Sequence, residues 1–177
     1  NICKKHGAIN IKYDFKEGDY SANHALALNA MVGEYRRNFN SILLIDHDIF
    51  LFDYSDIFLR TREKHFAGVS QIKLEKVYLH PGMMLINLDK TEDVCEFNFL
   101  PCLGMDTGGR MSNLIMGSDV EYLGLKHENF LLNEKEDMYE IIDGCWMHYI
   151  KGSNWNKSEN HNERINYLTQ ELQKLSK

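Results

Sequence analysis

The chain has 177 residues, 44 % of them apolar and 26 % charged, a balance that suits one globular domain and excludes an intrinsically disordered chain. Acids outnumber bases 26 to 20 for a net charge of −6, and no Lys/Arg cluster supplies a basic face, which argues against a nucleic-acid partner. No apolar run approaches the ~20 residues of a transmembrane segment, and the four scattered cysteines (Cys3, Cys95, Cys102, Cys145) lack a CxxC pair, so they read as reduced thiols of a cytoplasmic protein.

Residues 3–7 read as the last turn of a helix, with cations near the dipole and Gly7 at the cap, which predicts that a preceding segment is missing. Residues 8–13 alternate like a strand through Ile9, Ile11 and Tyr13. Ser21 is the expected N-cap of a helix over 22–38, with Leu28, Met31, Val32, Tyr35 and Phe39 at helical spacing and Arg36 and Arg37 in the last turn. The apolar run at 41–45 ends in Asp46-His47-Asp48 and is followed at once by a second run at 49–52. The first run reads as a strand buried on both faces, hence parallel to its neighbours. One or two helical turns are expected at 53–60, and strands at 65–70 and 82–88. Asp106 or Thr107 is expected to cap a helix reaching about Met116. Residues 121–125 and 139–149 supply further strands, the second broken near Gly144. A capping box from Asn160 to Glu163 opens a terminal helix over 160–177, with Ile165, Leu168, Leu172 and Leu175 on one stripe. Strands alternating with helices predict one α/β domain over residues 1–177, with a mostly parallel central sheet flanked by helices.

A single Asp-x-Asp pair is no more than chance supplies in a chain with this much aspartate. Its position carries the information. It lies where an apolar strand ends, the place where open α/β sheets put their ligands. Two carboxylates one residue apart repel unless a cation or a donor compensates, and hard oxygen ligands suit Mn2+ or Mg2+ with phosphates completing the shell. The plain alternative is a solvated turn. A hundred residues on, His148 can offer an imidazole to the same ion, Lys151 is a point charge for a phosphate, and Gly152 lets backbone N–H groups approach an anion. Taken alone, a histidine among aromatic residues reads rather as part of a core. Trp146, Met83 and Met84 are expected in the core.

In order along the chain, several segments resemble the GT-A nucleotide-sugar glycosyltransferases, closest to family 8-like or family 2-like enzymes, from about Ser21 to Trp155. Residues 21–29 resemble the helix before the metal strand. Leu43-Leu44-Ile45-Asp46-His47-Asp48 resembles the family's Asp-x-Asp strand. Residues 80–88 are similar to the segment that ends Ile-Asn-Leu near the sugar, with His80-Pro81 in place of Asn-Ala before Gly82. Residues 106–109 fall where many members line the acceptor site, and His148-Tyr149, Gly152 and Trp155 resemble the loop that closes over the diphosphate.

The resemblance implies a single GT-A, Rossmann-like domain. Its first strand–helix unit would be missing, since only 45 residues precede Asp46. It implies transfer of a hexose from a nucleoside-diphosphate sugar, with a UDP-sugar favoured, to a glycan or other hydroxyl acceptor, by a monomer or homodimer using Mn2+ or Mg2+. Asp48 and His148 would ligate the ion, and Asp46 would bind it through water or hold the donor ribose. Lys151 and Gly152 would meet the diphosphate, and Asn23 and His24 would touch the donor. Asp106 would bind or deprotonate the acceptor hydroxyl, or serve as a helix cap, while His80, Gly82 and Gly108 line the acceptor pocket. Two other readings stand beside it. One is a metal-dependent nucleotidyltransferase, which also needs paired aspartates but wants a Gly-rich or basic loop for a triphosphate. The other is a truncated or inactive GT-A-like binding domain.

Overall fold

The computed structural model describes residues 5, 7–9, 11–13, 19–94, 97–128, 139–150 and 161–176. Lys5 is helical and Gly7 has φ +68°, as at a helix C-terminus. The strand expected over 8–13 does not form at the described positions there.

Helix α1 spans Tyr20–Tyr35. Its N-cap is Asp19 rather than the expected Ser21, because the Asp19 carboxylate accepts from the N–H groups of Ser21 and Ala22. The Ser21 hydroxyl instead lies 2.8 Å from that of Thr107, which donates to the Ser21 carbonyl at 2.9 Å. Ala25, Leu28 and Val32 share one helical face and are buried. The helix stops at Tyr35, short of residue 38, where Arg36 donates to the Val94 carbonyl at 2.6 Å and lies over the Phe97 ring.

Two four-stranded sheets follow. The first has the order β1 (Ser41–Ile45), β4 (Lys76–Asn87), β3 (Phe66–Lys73), β5 (Val120–Tyr122). The second has the order β2 (Ile49–Leu51), β8 (Trp146–Tyr149), β7 (Tyr139–Ile142), β6 (Leu125–Glu128). The short helix α2 (Ile57–Arg60) runs into a 3-10 turn at Thr61–Glu63, and α3 (Ser112–Met116) follows a 3-10 turn at Gly109–Met111. Helix α4 spans His161–Leu175; the Asn160 cap expected for it lies outside the described residues.

The fold class is α/β, but the mostly parallel sheet is not what forms. Among the described strands only β3 and β5 pair in parallel, while β1–β4, β3–β4 and every pair of the second sheet are antiparallel. The run at 41–45, expected to be buried on both faces and hence parallel, is instead the edge strand β1 of its sheet, with Leu44 alone buried and Ile45 exposed; it is the central strand β4 that is covered on both faces, and it is antiparallel to both its neighbours. On β4, Met84 and Ile86 enter the core under α1 and α3, while Met83 and Leu85 enter a second core between the two sheets. A central antiparallel strand covered by helices on one side and by a sheet on the other loses its polar alternation just as a parallel strand does.

The layers run helices, first sheet, second sheet, helix. Leu168 of α4 is fully buried with Met147 and Tyr149 on the far face of the second sheet, and Leu172 packs beside them. That burial is worth about 1.5–3 kcal/mol for Leu168; α4 therefore docks on its own domain through Leu168, Leu172 and Tyr167, while Ile165 and Leu175 of the expected stripe are exposed. The turn between β7 and β8 holds Asp143 at φ +54° and Gly144 at +71°. It is gripped by Arg60 of α2, whose guanidinium donates to both Asp143 carboxylate oxygens. Trp146 is buried between the sheets, with its indole N–H on Ser55 Oγ at 3.2 Å.

Candidate metal and donor site

Asp46, His47 and Asp48 form the turn that carries the chain from β1 in the first sheet to β2 in the second. The two acids therefore sit on the seam between the sheets. Each is fixed by the backbone of a different sheet: the Asp46 N–H donates to the Gly82 carbonyl at 2.8 Å, and the Asp48 carbonyl accepts from the Tyr149 N–H at 2.8 Å. His47 between them is exposed.

His148 arrives from β8, paired with Ile49 of β2, so one antiparallel ladder sets its distance from Asp48. Its Nε2 lies 3.9 Å from Asp48 Oδ1. Its Nδ1 lies 2.6 Å from Glu140 Oε1, across the register pair Glu140–His148 of the β7–β8 hairpin. With Nδ1–H given to Glu140, the Nε2 lone pair is left facing the acids, the carboxylate–histidine arrangement that orients metal-binding rings. Burial opposes the charged ring, but the Glu140 hydrogen bond and the charges of Glu140, Asp48 and Asp46 outweigh it, leaving His148 above the ordinary histidine value.

Strand β4 brings the next group. Gly68 faces Met84 and Ser70 faces Leu79, so two steps along β3 match five along β4. The excess is a bulge over His80-Pro81-Gly82. Proline cannot donate to the ladder, and inside a sheet it is confined to such irregularities. The bulge aims His80 and Gly82 at the acids. A Cβ on Gly82 would stand 2.2 Å from Asp46 Oδ2 and 2.7 Å from His80 Cε1, so only glycine leaves room for both side chains over this spot. The His80 ring lies 5.7 Å from that of His148, centroid to centroid. Burial holds His80 below the ordinary histidine value despite the attraction of Asp46, and His148 pushes the same way.

Helix α1 closes the other side, with His24 Nε2 at 3.5 Å from Asp46 Oδ1. Asn23 lies on the same first turn, partly buried. Asp106 is exposed and accepts from the Tyr78 hydroxyl at 3.0 Å; burial and this bond push the Tyr78 phenol up to about 12. Neither Asp106 nor Thr107 caps the following turn by its side chain, whose N-cap is Gly108. Gly108 has φ +91°, and a Cβ there would be 3.2 Å from the Leu79 carbonyl, so its backbone conformation and its packing on β4 account for it.

The structure thus gathers His24, Asp46, Asp48, His80, Gly82 and His148 around the seam, with Asp106 nearby on Tyr78. Lys151 and Gly152 lie outside the described residues. Comparison of the chain with protein-family models, with curated proteins and with solved structures finds no match. The site is therefore judged on its own chemistry. Two carboxylates and an imidazole suit a divalent ion such as Mn2+ or Mg2+. The 3.9 Å between Asp48 and His148 is within the ~4.2 Å that two atoms each ~2.1 Å from one ion can span. Among the described residues no three His, Cys, Asp or Glu side chains are already drawn together as a ligand cage.

Sequence reasoning missed Glu140 and Tyr78. Glu140 had a signal: folding the chain about Gly144 sets residues four before and four after it opposite each other. Tyr78 had none, because its partner comes from a loop 28 residues away.

Proposed function

We propose that this chain is a metal-dependent glycosyltransferase that moves a hexose from a nucleoside-diphosphate sugar to a hydroxyl acceptor. The observation that carries the reading is the meeting of His148 with Asp46 and Asp48 at the seam of two sheets, from a hundred residues apart, with Glu140 holding the far nitrogen of the ring. Asp48 and His148 would hold the ion, and Asp46, steadied by His24, would bind it through water or hold the donor ribose. When bound, a divalent ion supplies positive charge where the nucleoside diphosphate leaves.

The chain's own residues account for the rest. Glu140 fixes the His148 tautomer, and Gly82 keeps the space beside Asp46 open. Asp106, exposed and held by Tyr78, is the group to accept the acceptor hydroxyl's proton as the new glycosidic bond forms and the bond from the anomeric carbon to the diphosphate breaks. The cytoplasm and a UDP-sugar donor remain the expected setting and substrate.

The test is calorimetry of Mn2+ with UDP. Asp48→Asn should abolish metal binding, and His148→Ala should weaken the ternary complex by about 1–3 kcal/mol; unchanged affinity in both variants ends the assignment. Product analysis separates this reaction from nucleotidyl transfer, since sugar transfer releases a nucleoside diphosphate and nucleotidyl transfer releases pyrophosphate.

A further inference from the structure

Beside His80 and His148 a cleft of about 190 Å3 opens between the two sheets. Its polar lining is Ser70, Gln71, His80, Glu140 and His148, and Ile142 is part of its apolar wall. One polar atom in it is unexplained. Among the described residues the buried amide oxygen of Gln71 has no hydrogen-bond partner. Buried polar atoms are nearly always satisfied, and an unsatisfied acceptor costs about 1–3 kcal/mol. The atom therefore calls for a donor, and the cleft it lines has room for one.

The volume decides the size of that donor's molecule. At about 30 Å3 of liquid volume per water, 190 Å3 is room for roughly six waters, well below the ~300–1,000 Å3 of pockets for drug-sized ligands. An apolar wall facing polar groups matches a ring with C–H faces and hydroxyl edges. We propose that this cleft binds a single sugar ring, with the Gln71 amide oxygen accepting from one of its hydroxyls. The occupant's role rests on the transferase reading above. The ring is either the hexose carried by the donor or the one carrying the acceptor hydroxyl, and both share this chemistry.

Calorimetry on the wild-type chain, Gln71→Leu and Gln71→Glu tests it, with circular dichroism to verify folding. The probes are UDP with Mn2+, a panel of UDP-hexoses with Mn2+, and methyl hexosides alone and with UDP and Mn2+. If the cleft holds the donor's hexose, Gln71→Leu weakens a UDP-hexose by about tenfold or more, leaves UDP unchanged, and Gln71→Glu, which still accepts a hydroxyl, stays close to wild type. If it holds the acceptor's ring, the same pattern appears for a methyl hexoside while both nucleotides are untouched. Equal affinity of wild type and Gln71→Leu for every probe, or no binding of any hexose-bearing probe, overturns the proposal. Should the wild type take methyl hexosides through Gln71 but bind neither UDP nor any UDP-hexose with Mn2+, the transferase reading falls and the sugar cleft stands.

Discussion

The space beside Gly82 gives a sharp test of the site. In Gly82→Ala the new methyl would stand 2.2 Å from Asp46 Oδ2, 2.5 Å from Asp46 Cγ and 2.7 Å from His80 Cε1, all inside van der Waals contact. The backbone cannot yield, because Gly82 is buried and its carbonyl takes the Asp46 N–H at 2.8 Å. The Asp46 side chain can yield, since it is 31 % exposed and can swing toward water at the expense of its contact with His24. The stability cost should therefore fall in the lower part of the ~1–3 kcal/mol range for overpacking. For a domain of this size that is a fall in Tm of roughly 2–6 °C. Function should suffer more. With the carboxylate displaced, Mn2+ affinity in the presence of UDP should drop about 10–100-fold, as when a residue supporting a metal site is lost. Calorimetry measures the affinity and differential scanning calorimetry the stability. Gly124→Ala is the control, since none of the described residues comes within 4 Å of a Cβ there. A folded Gly82→Ala protein with wild-type Mn2+ affinity would refute the placement of Asp46 at the ion.

His148 carries a raised value, so its proton persists above pH ~6.5 and competes with a cation; Mn2+ affinity should rise as pH increases through that raised value, and a flat titration would count against the ring as ligand. The same shift has a stability sign. A group raised in the folded state contributes below the unfolded value of ~6.5 and loses that contribution as pH climbs through the folded one. The stability gap between wild type and His148→Gln should accordingly narrow with rising pH, and a gap independent of pH would contradict the Glu140 ion pair. Glu140→Ala should weaken Mn2+ binding about 10–100-fold by freeing the ring; unaltered binding would show that the hydrogen bond does not orient it. Gly33 sits exposed within α1 with none of the described residues within 4 Å of a Cβ, so Gly33→Ala should stabilise the fold by about 0.5–1 kcal/mol, and a lowered Tm would contradict the helix at that point.

What the sequence displayed was burial and punctuation. The apolar run that ends in two acids marked the end of β1, a local pattern with a single cause, whereas of the terminal stripe only Leu168 and Leu172 lie on the docked face of α4 and Ile165 and Leu175 are exposed. Strand direction was hidden, since the periodicity of β4 reports that both faces are covered and not which way its neighbours run. The first helix's cap was misread because Asp19 and Ser21 are both capping residues two positions apart, and only the Ser21–Thr107 contact shows which one is occupied elsewhere. His148 and the acids could be paired by chemistry alone. Gln71 could not, because the bulge at Pro81 that shapes its surroundings is a property of the sheet and not of any one segment.

The ladder that ties Ile49 to His148 also sets an order of events at the ribosome. At roughly 5–20 residues per second, the acids emerge some 5–20 s before the imidazole that completes their site. Through that interval β2, which among the described strands pairs with β8 alone, has an open backbone edge, and such edges recruit other chains. Self-association through that edge is thus confined to the interval before the β7–β8 hairpin is translated, and a chaperone that guards the edge would act there.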